Sequence, residues 1–187
     1  ELARRPLGLS REARRLVEVL ETAELAAHLT GFDLLVAHAH QHVFAFPHLV
    51  YAEPMALETV EFELAANGYV VQRADAAGLV SAPDRSTLVV VRKQPDFERY
   101  RVHGFVAPPE KAWVDALRET YRNTVPLELI ELGRILRSLV DSAADVRFLR
   151  HYARQLGYLN RVDAAMHGAA PDAPTDIQAL RAGYQAP

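Results

Sequence analysis

The residues with the most obvious chemistry are histidines. Residues 36–48 read VAHAHQHVFAFPH and hold His38, His40, His42 and His48, half of the chain's eight histidines. In a strand, residues i, i+2 and i+4 share a face, so His38, His40 and His42 would converge as metal ligands. On a helix His40 lies about 200° round from His38, and only His38 and His42 stay together at i, i+4. Phe32, Leu35, Val36 and Ala39 fall at i, i+3, i+4 and i+7, a helical apolar stripe, and Thr30 and Asp33 offer a start for it. A helix over residues 32–41 is therefore expected. Zinc enzymes with this His spacing carry a Glu beside the first His as base, and here that residue is Ala39. A third ligand would have to come from His28, His48 or a distant acid. No metal and no cofactor are expected, and a metal-dependent hydrolase using His38 and His42 is the alternative.

A second constellation is nuclease-like. Pro83-Asp84 precedes the run Leu88-Val89-Val90-Val91-Arg92-Lys93. Metal-dependent nucleases place an acid, then Glu-x-Lys on the next strand, so that two carboxylates hold the ion. The Glu position here is Val91, so a nuclease would be degenerate, and Pro-Asp reads as an ordinary turn. No serine sits in a Gly-x-Ser-x-Gly elbow, and the nine glycines are not clustered into a phosphate-cradling loop. No catalytic residues are assigned.

Glu110-Lys111-Ala-Trp-Val-Asp115 is a third candidate. On a helix Lys111 and Asp115 are an i, i+4 pair, the usual pattern of a salt-bridged, solvated helix start. Arg147, Arg150 and Arg154 fall at i, i+3 and i+7, close to one helix face, and could meet a partner.

Composition bounds the classes open to the chain. It has 187 residues, half of them hydrophobic and about a quarter charged, the balance of a globular protein with a real core. There is no cysteine, which excludes disulfides, thiolate metal sites and a cysteine nucleophile and fits a cytoplasmic protein. A net charge of −3 exerts no general pull on nucleic acid. All but Lys93 and Lys111 of the 21 basic residues are arginine. No apolar run is long enough to span a bilayer, so no membrane is expected.

Positioning elements follow from periodicity. Ser10 caps a helix expected over about 11–22. AAHLTG, HLVYAEP, YVVQR, TLVVVRK and RYRVHGFVAP read as strands. Pro54 is expected at the first position of a helix whose inner face is Met55, Val60, Leu64 and Ala65, ended by Asn67-Gly68. After residue 108 the pattern turns helical. PEKAWVDALRETY places Trp113, Leu117 and Tyr121 in one stripe. Pro126 opens a second helix, Ser142 caps a third ended by Gly157, and residues 158–168 form a fourth. The expected fold is α+β or α/β: a small mixed sheet with flanking helices in residues 1–107, and a helical portion, 108–168, packed on it as one compact domain. Residues 169–187 read as a loose tail.

The order of these motifs resembles AbiEi-like antitoxins, the viral-defence transcriptional regulators. Thr-Gly before a Leu-Leu segment ending His-Gln (TGFDLLVAHAHQH, 30–42) is followed by Val-Tyr and an acid (HLVYAEP). Then come PPEKAWVDAL (108–117) and FLRHYARQLG (148–157). The likeness covers about residues 10–163. It implies a non-enzymatic regulatory domain of a toxin-antitoxin or phage-defence system that counteracts a nucleotidyltransferase-like toxin. Glu110, Lys111, Asp115, Arg147, Arg150 and Arg154 are then the candidate partner-binding residues. Full-length members of that family also carry an N-terminal winged helix-turn-helix. Residues 1–30 are too few for one, so DNA contact, and a role as a DNA-binding regulator, would require a winged helix upstream of Glu1.

Overall fold

In a computed structural model, residues 8–39, 46–74, 87–97, 104–122, 128–142 and 144–168 are described. Among these described residues the architecture is α+β, a four-stranded mixed sheet with six helices. The order along the chain is α1 (Arg11–Thr22), β1 (Ala27–Thr30), β2 (His48–Ala52), α2 (Leu57–Ala66), β3 (Val70–Arg73), β4 (Leu88–Lys93), α3 (Pro109–Tyr121), α4 (Leu129–Asp141), α5 (Val146–Gln155) and α6 (Leu159–Gly168).

The sheet order is β1-β2-β4-β3. β1 runs antiparallel to β2, while β2 and β3 run parallel to β4 on its two sides. LVVVRK takes a central place because five of its six residues are buried. Strands covered on both faces read as continuous apolar runs, as this one does. The outer edge of β1 is met by residues 105–107: Leu29 N–H donates to the Phe105 carbonyl, and Ala107 N–H donates to that of Leu29.

Strand alternation sorts the sheet into two faces. Val71, Arg73, Val89 and Val91 lie toward α2, where Arg73 meets Glu61 through Nε at 2.6 Å and Nη2 at 2.8 Å. The inner side of α2 is Leu57, Val60 and Leu64. The opposite face carries His28, Thr30, Leu49, Tyr51, Val90 and Arg92, and α3 lies across it. On its other side α3 packs on α4 and α5, and Trp113 Nε1 donates to the Leu132 carbonyl at 2.8 Å. One apolar cluster runs from Ala13 to Ala165, so residues 1–107 and 108–168 share a core.

Local expectations are corrected at four places. The helix over 32–41 does not form. Two short 3-10 turns occupy Gly31–Leu34 and Val36–His38, and Ala39 is extended. Gly31, at φ +76°, packs its backbone against Leu49, which fixes a sharp exit from β1 that leaves no room for a regular helix. Pro54 sits in a turn before α2 rather than at its first position, and Met55 is 89 % exposed rather than inward. Ser142 ends α4, its hydroxyl donating to the Leu139 carbonyl. The cap of α5 is Asp145, whose side chain accepts from Phe148 N–H. Pro126, Pro83-Asp84, His40, His42, the first half (99–103) of the strand expected at 99–108 and the tail after 168 lie outside the described residues.

Candidate functional site

α3 has Pro109 at its start and an apolar stripe that seats it against α4 and α5. Its other side faces the sheet and is charged. Lys111, Asp115 and Glu119, at i, i+4 and i+8, have no exposed surface at all. A charged stripe in the interior must be paired on every side, because an unmatched buried charge is very costly.

The pairing is dense at Asp115. Its Oδ2 accepts from Lys111 Nζ and from Thr30 Oγ1, each at 2.6 Å, and its Oδ1 accepts from Tyr152 OH at 2.7 Å. Three donors on one carboxylate occupy most of its lone-pair positions. Lys111 Nζ also stands 4.4 Å from the centroid of the Tyr51 ring and 5.2 Å from that of Tyr152, a cation held between two aromatic faces. Burial pushes the Lys111 ammonium below its usual range, and Asp115 pulls against that shift.

A second pair lies one turn along. Arg92 Nη2 donates to Glu119 Oε2 at 2.9 Å, and its Nε lies 2.7 Å from Oε1 as an ion-pair contact without hydrogen-bond geometry. Tyr51 OH donates to Glu119 Oε1 at 3.2 Å and joins the two pairs. Burial first, then the charges of Asp115 and Glu119, push the Tyr51 hydroxyl well above its usual value; burial and Asp115 do the same to Tyr152. His28, Tyr51 and Arg92 are register neighbours, so a polar row crosses three strands directly under α3. Phe97 closes the row, 5.1 Å from the His28 ring.

A lysine in this state could act as a base or form a Schiff base if a substrate reached it. Lys111 is fully enclosed, so its chemistry is spent on Asp115 and the two tyrosines. The network joins β1, β2, β4, α3 and α5 through side-chain contacts.

Of the residues expected to face a partner, Lys111 and Asp115 are therefore interior. Glu110 is nearly so, its Oε1 accepting Asp145 N–H at 2.7 Å at the start of α5. Lys111 and Asp115 have no exposed surface, and Glu110 is 9 % exposed. Arg147, Arg150 and Arg154 are exposed on α5. Arg150 reaches Asp163 at 3.2 Å. The described histidines diverge: His38 Nδ1 lies 3.0 Å from Ser138 Oγ on α4, His48 Nδ1 lies 2.8 Å from Asp33 Oδ2, and His28 is in the core. Among the described residues no three His, Asp or Glu gather as a metal site. No helix among them is long and apolar enough to cross a membrane.

Sequence reasoning missed Thr30, Tyr51, Arg92, Glu119 and Tyr152. Three of them stood inside quoted motifs. Thr30 belongs to Thr-Gly, Tyr51 to Val-Tyr and Tyr152 to Leu-Arg-His-Tyr-Ala, while Lys111 and Asp115 come from Glu-Lys-x-x-Val-Asp. One network gathers a residue from each motif. No family model, no curated protein and no solved structure matches the chain.

Proposed function

We propose that this chain is a non-enzymatic antitoxin-like domain of the AbiEi type, which counteracts a nucleotidyltransferase-like toxin by binding. The observation that carries this reading is the convergence at Asp115. Thr30, Tyr51, Lys111 and Tyr152 come from four short motifs spread over more than half the chain, and all meet in one buried network. Motifs that converge this way behave as one architectural unit, which supports reading their order as a family likeness. Their complete enclosure supports a role in shaping the domain rather than turning over a substrate. The exposed arginines of α5 supply a surface on which a partner can be held by forked, charge-assisted contacts.

The test is growth rescue. Co-expression with a nucleotidyltransferase-like toxin is expected to relieve that toxin's effect on growth. The Arg147→Glu/Arg150→Glu/Arg154→Glu variant is expected to lose the rescue with its thermal midpoint nearly unchanged, because all three side chains are exposed. No rescue by the unmodified chain sinks the antitoxin reading. Full rescue by the triple variant removes the α5 stripe from it.

A further inference from the structure

The sheet face remote from the buried network is covered by α1 and α2, and their outer surface is unlike the rest of the molecule. α2 carries an aromatic residue on its outer side as well as an apolar inner side. Leu57, Val60 and Leu64 point inward, while Phe62 points away and is 68 % exposed. Met55, in the turn just before α2, is 89 % exposed. By helical spacing Ala66, one turn on from Phe62, shares its outward side. Exposed aromatic and methionine side chains lying together mark an interaction surface more than any single exposed apolar residue does.

The rim of this crest is acidic. Glu58 flanks Phe62 on one side of the helix and Glu63 on the other, while Glu61, next to Glu58, is already paired with Arg73. Beyond Glu63 an open groove of about 580 Å³ runs between α1 and α2. Val19, Thr22 and Ala23 line it together with Glu18 and Glu63. Arg15 also lines it, with Nη2 3.5 Å from the Asn67 carbonyl oxygen. The surface is thus an apolar crest and an interhelical groove bordered by carboxylates.

We infer that this α1/α2 surface binds a basic amphipathic helix of another protein. A groove between two helices accepts a third helix by its apolar stripe, and the acidic border selects lysine and arginine on the flanks of that stripe. An anionic lipid surface and a nucleic acid are both repelled by the same border. A second copy of this chain is a poor match: its basic helix, α5, carries no large exposed apolar residue to set against Phe62 and Met55. The surface lies across the sheet from α3 and the helices packed on it, and its use does not depend on the antitoxin reading.

The test uses the full chain and two designed helical peptides. One has leucine on one face and lysine on the other; its counterpart carries glutamate in place of lysine. The lysine peptide is expected to bind and the glutamate peptide not to bind, with amide shift changes confined to α1 and α2. Phe62→Asp adds negative charge but removes the apolar anchor, and is expected to weaken binding about tenfold. Glu58→Lys/Glu63→Lys keeps the anchor and reverses the border, and is expected to weaken it comparably. Phe62 and Glu58 are exposed, so both variants should keep the thermal midpoint. Unchanged affinity in Phe62→Asp overturns the inference, as do equal binding of both peptides and shift changes on another face. A self-association that Phe62→Asp abolishes also overturns it, by showing that a second copy covers the surface.

Discussion

At the scale of the residue, Lys111 and Asp115 show how position changes the meaning of a familiar pair. At i, i+4 on an exposed helix they would contribute a few tenths of a kcal/mol. In the interior, removing one partner strands the other. Lys111→Met is expected to destabilise the chain by about 3–5 kcal/mol, while Lys111→Met/Asp115→Leu recovers most of that loss. Denaturant midpoints of both variants decide it, and a double variant as weak as the single one would show that the pair is not a closed unit. The same groups give a pH signature. Burial lowers the Lys111 value in the folded chain, so between that lowered value and the ordinary 10.5 the unfolded chain binds more protons, and stability rises with pH. Tyr51 and Tyr152 act oppositely. Their folded values are raised, so above the ordinary 10.0 the unfolded chain releases protons first and stability falls. Stability is therefore expected to climb toward pH ~10 and drop beyond it. The climb should vanish in Lys111→Met/Asp115→Leu, as read by urea unfolding over an alkaline pH series.

At the scale of the element, the turn after β1 sets where Thr30 stands. Gly31 has φ +76°, and a Cβ there would lie 2.6 Å from Leu49 Cδ1, inside the sheet. Leu49 is itself buried and has little room to yield. Gly31→Ala is expected to lose about 1–3 kcal/mol through strain and crowding together. An unchanged denaturant midpoint would refute that account of the Thr-Gly motif. The same turn explains why a helix read from spacing does not form. Of the expected stripe, Phe32 and Leu35 are buried, but Val36 is 43 % exposed and Ala39 is half-buried, while Leu34, outside the stripe, is buried by the 3-10 turns. A 3-10 turn has three residues per turn rather than 3.6, so it carries a different set of residues inward from the one helical spacing selects. α1 and α3 were legible because ten or more residues repeat the helical spacing and each has a start signal, Ser10 and Pro109. The cap of α5 was not, because Ser142 and Asp145 are both good capping residues and only packing chooses between them. The charged face of α3 was equally hidden. Lys111, Asp115 and Glu119 read as a solvated face until strand register sets Tyr51 beside Arg92 beneath them.

At the scale of the whole molecule, α3 is the element through which both parts of the chain share an interior. One side of it meets the polar row of the sheet, and the other meets α4 and α5. The change in pattern at residue 108 was visible in the sequence, yet it marks a change of layer rather than a break between folding units. Thr30 and Asp115 are 85 positions apart, and no local pattern could have joined them. This arrangement has a thermodynamic consequence. The helical portion cannot loosen from the sheet without breaking the Thr30–Asp115, Tyr51–Glu119 and Arg92–Glu119 contacts together, a loss that adds to that of apolar contact in any half-open state. Trp113 is the chain's one tryptophan and lies on α3 in contact with α4, so its fluorescence reports the helical portion. Far-UV circular dichroism sums over every helix and strand. The two unfolding curves in denaturant are expected to coincide, as an all-or-none transition requires. In Lys111→Met/Asp115→Leu the penalty on the half-open state is reduced, and a tryptophan transition that precedes the circular dichroism transition becomes possible in that variant alone. Separate transitions in the unmodified chain would show that the buried network does not couple the two layers.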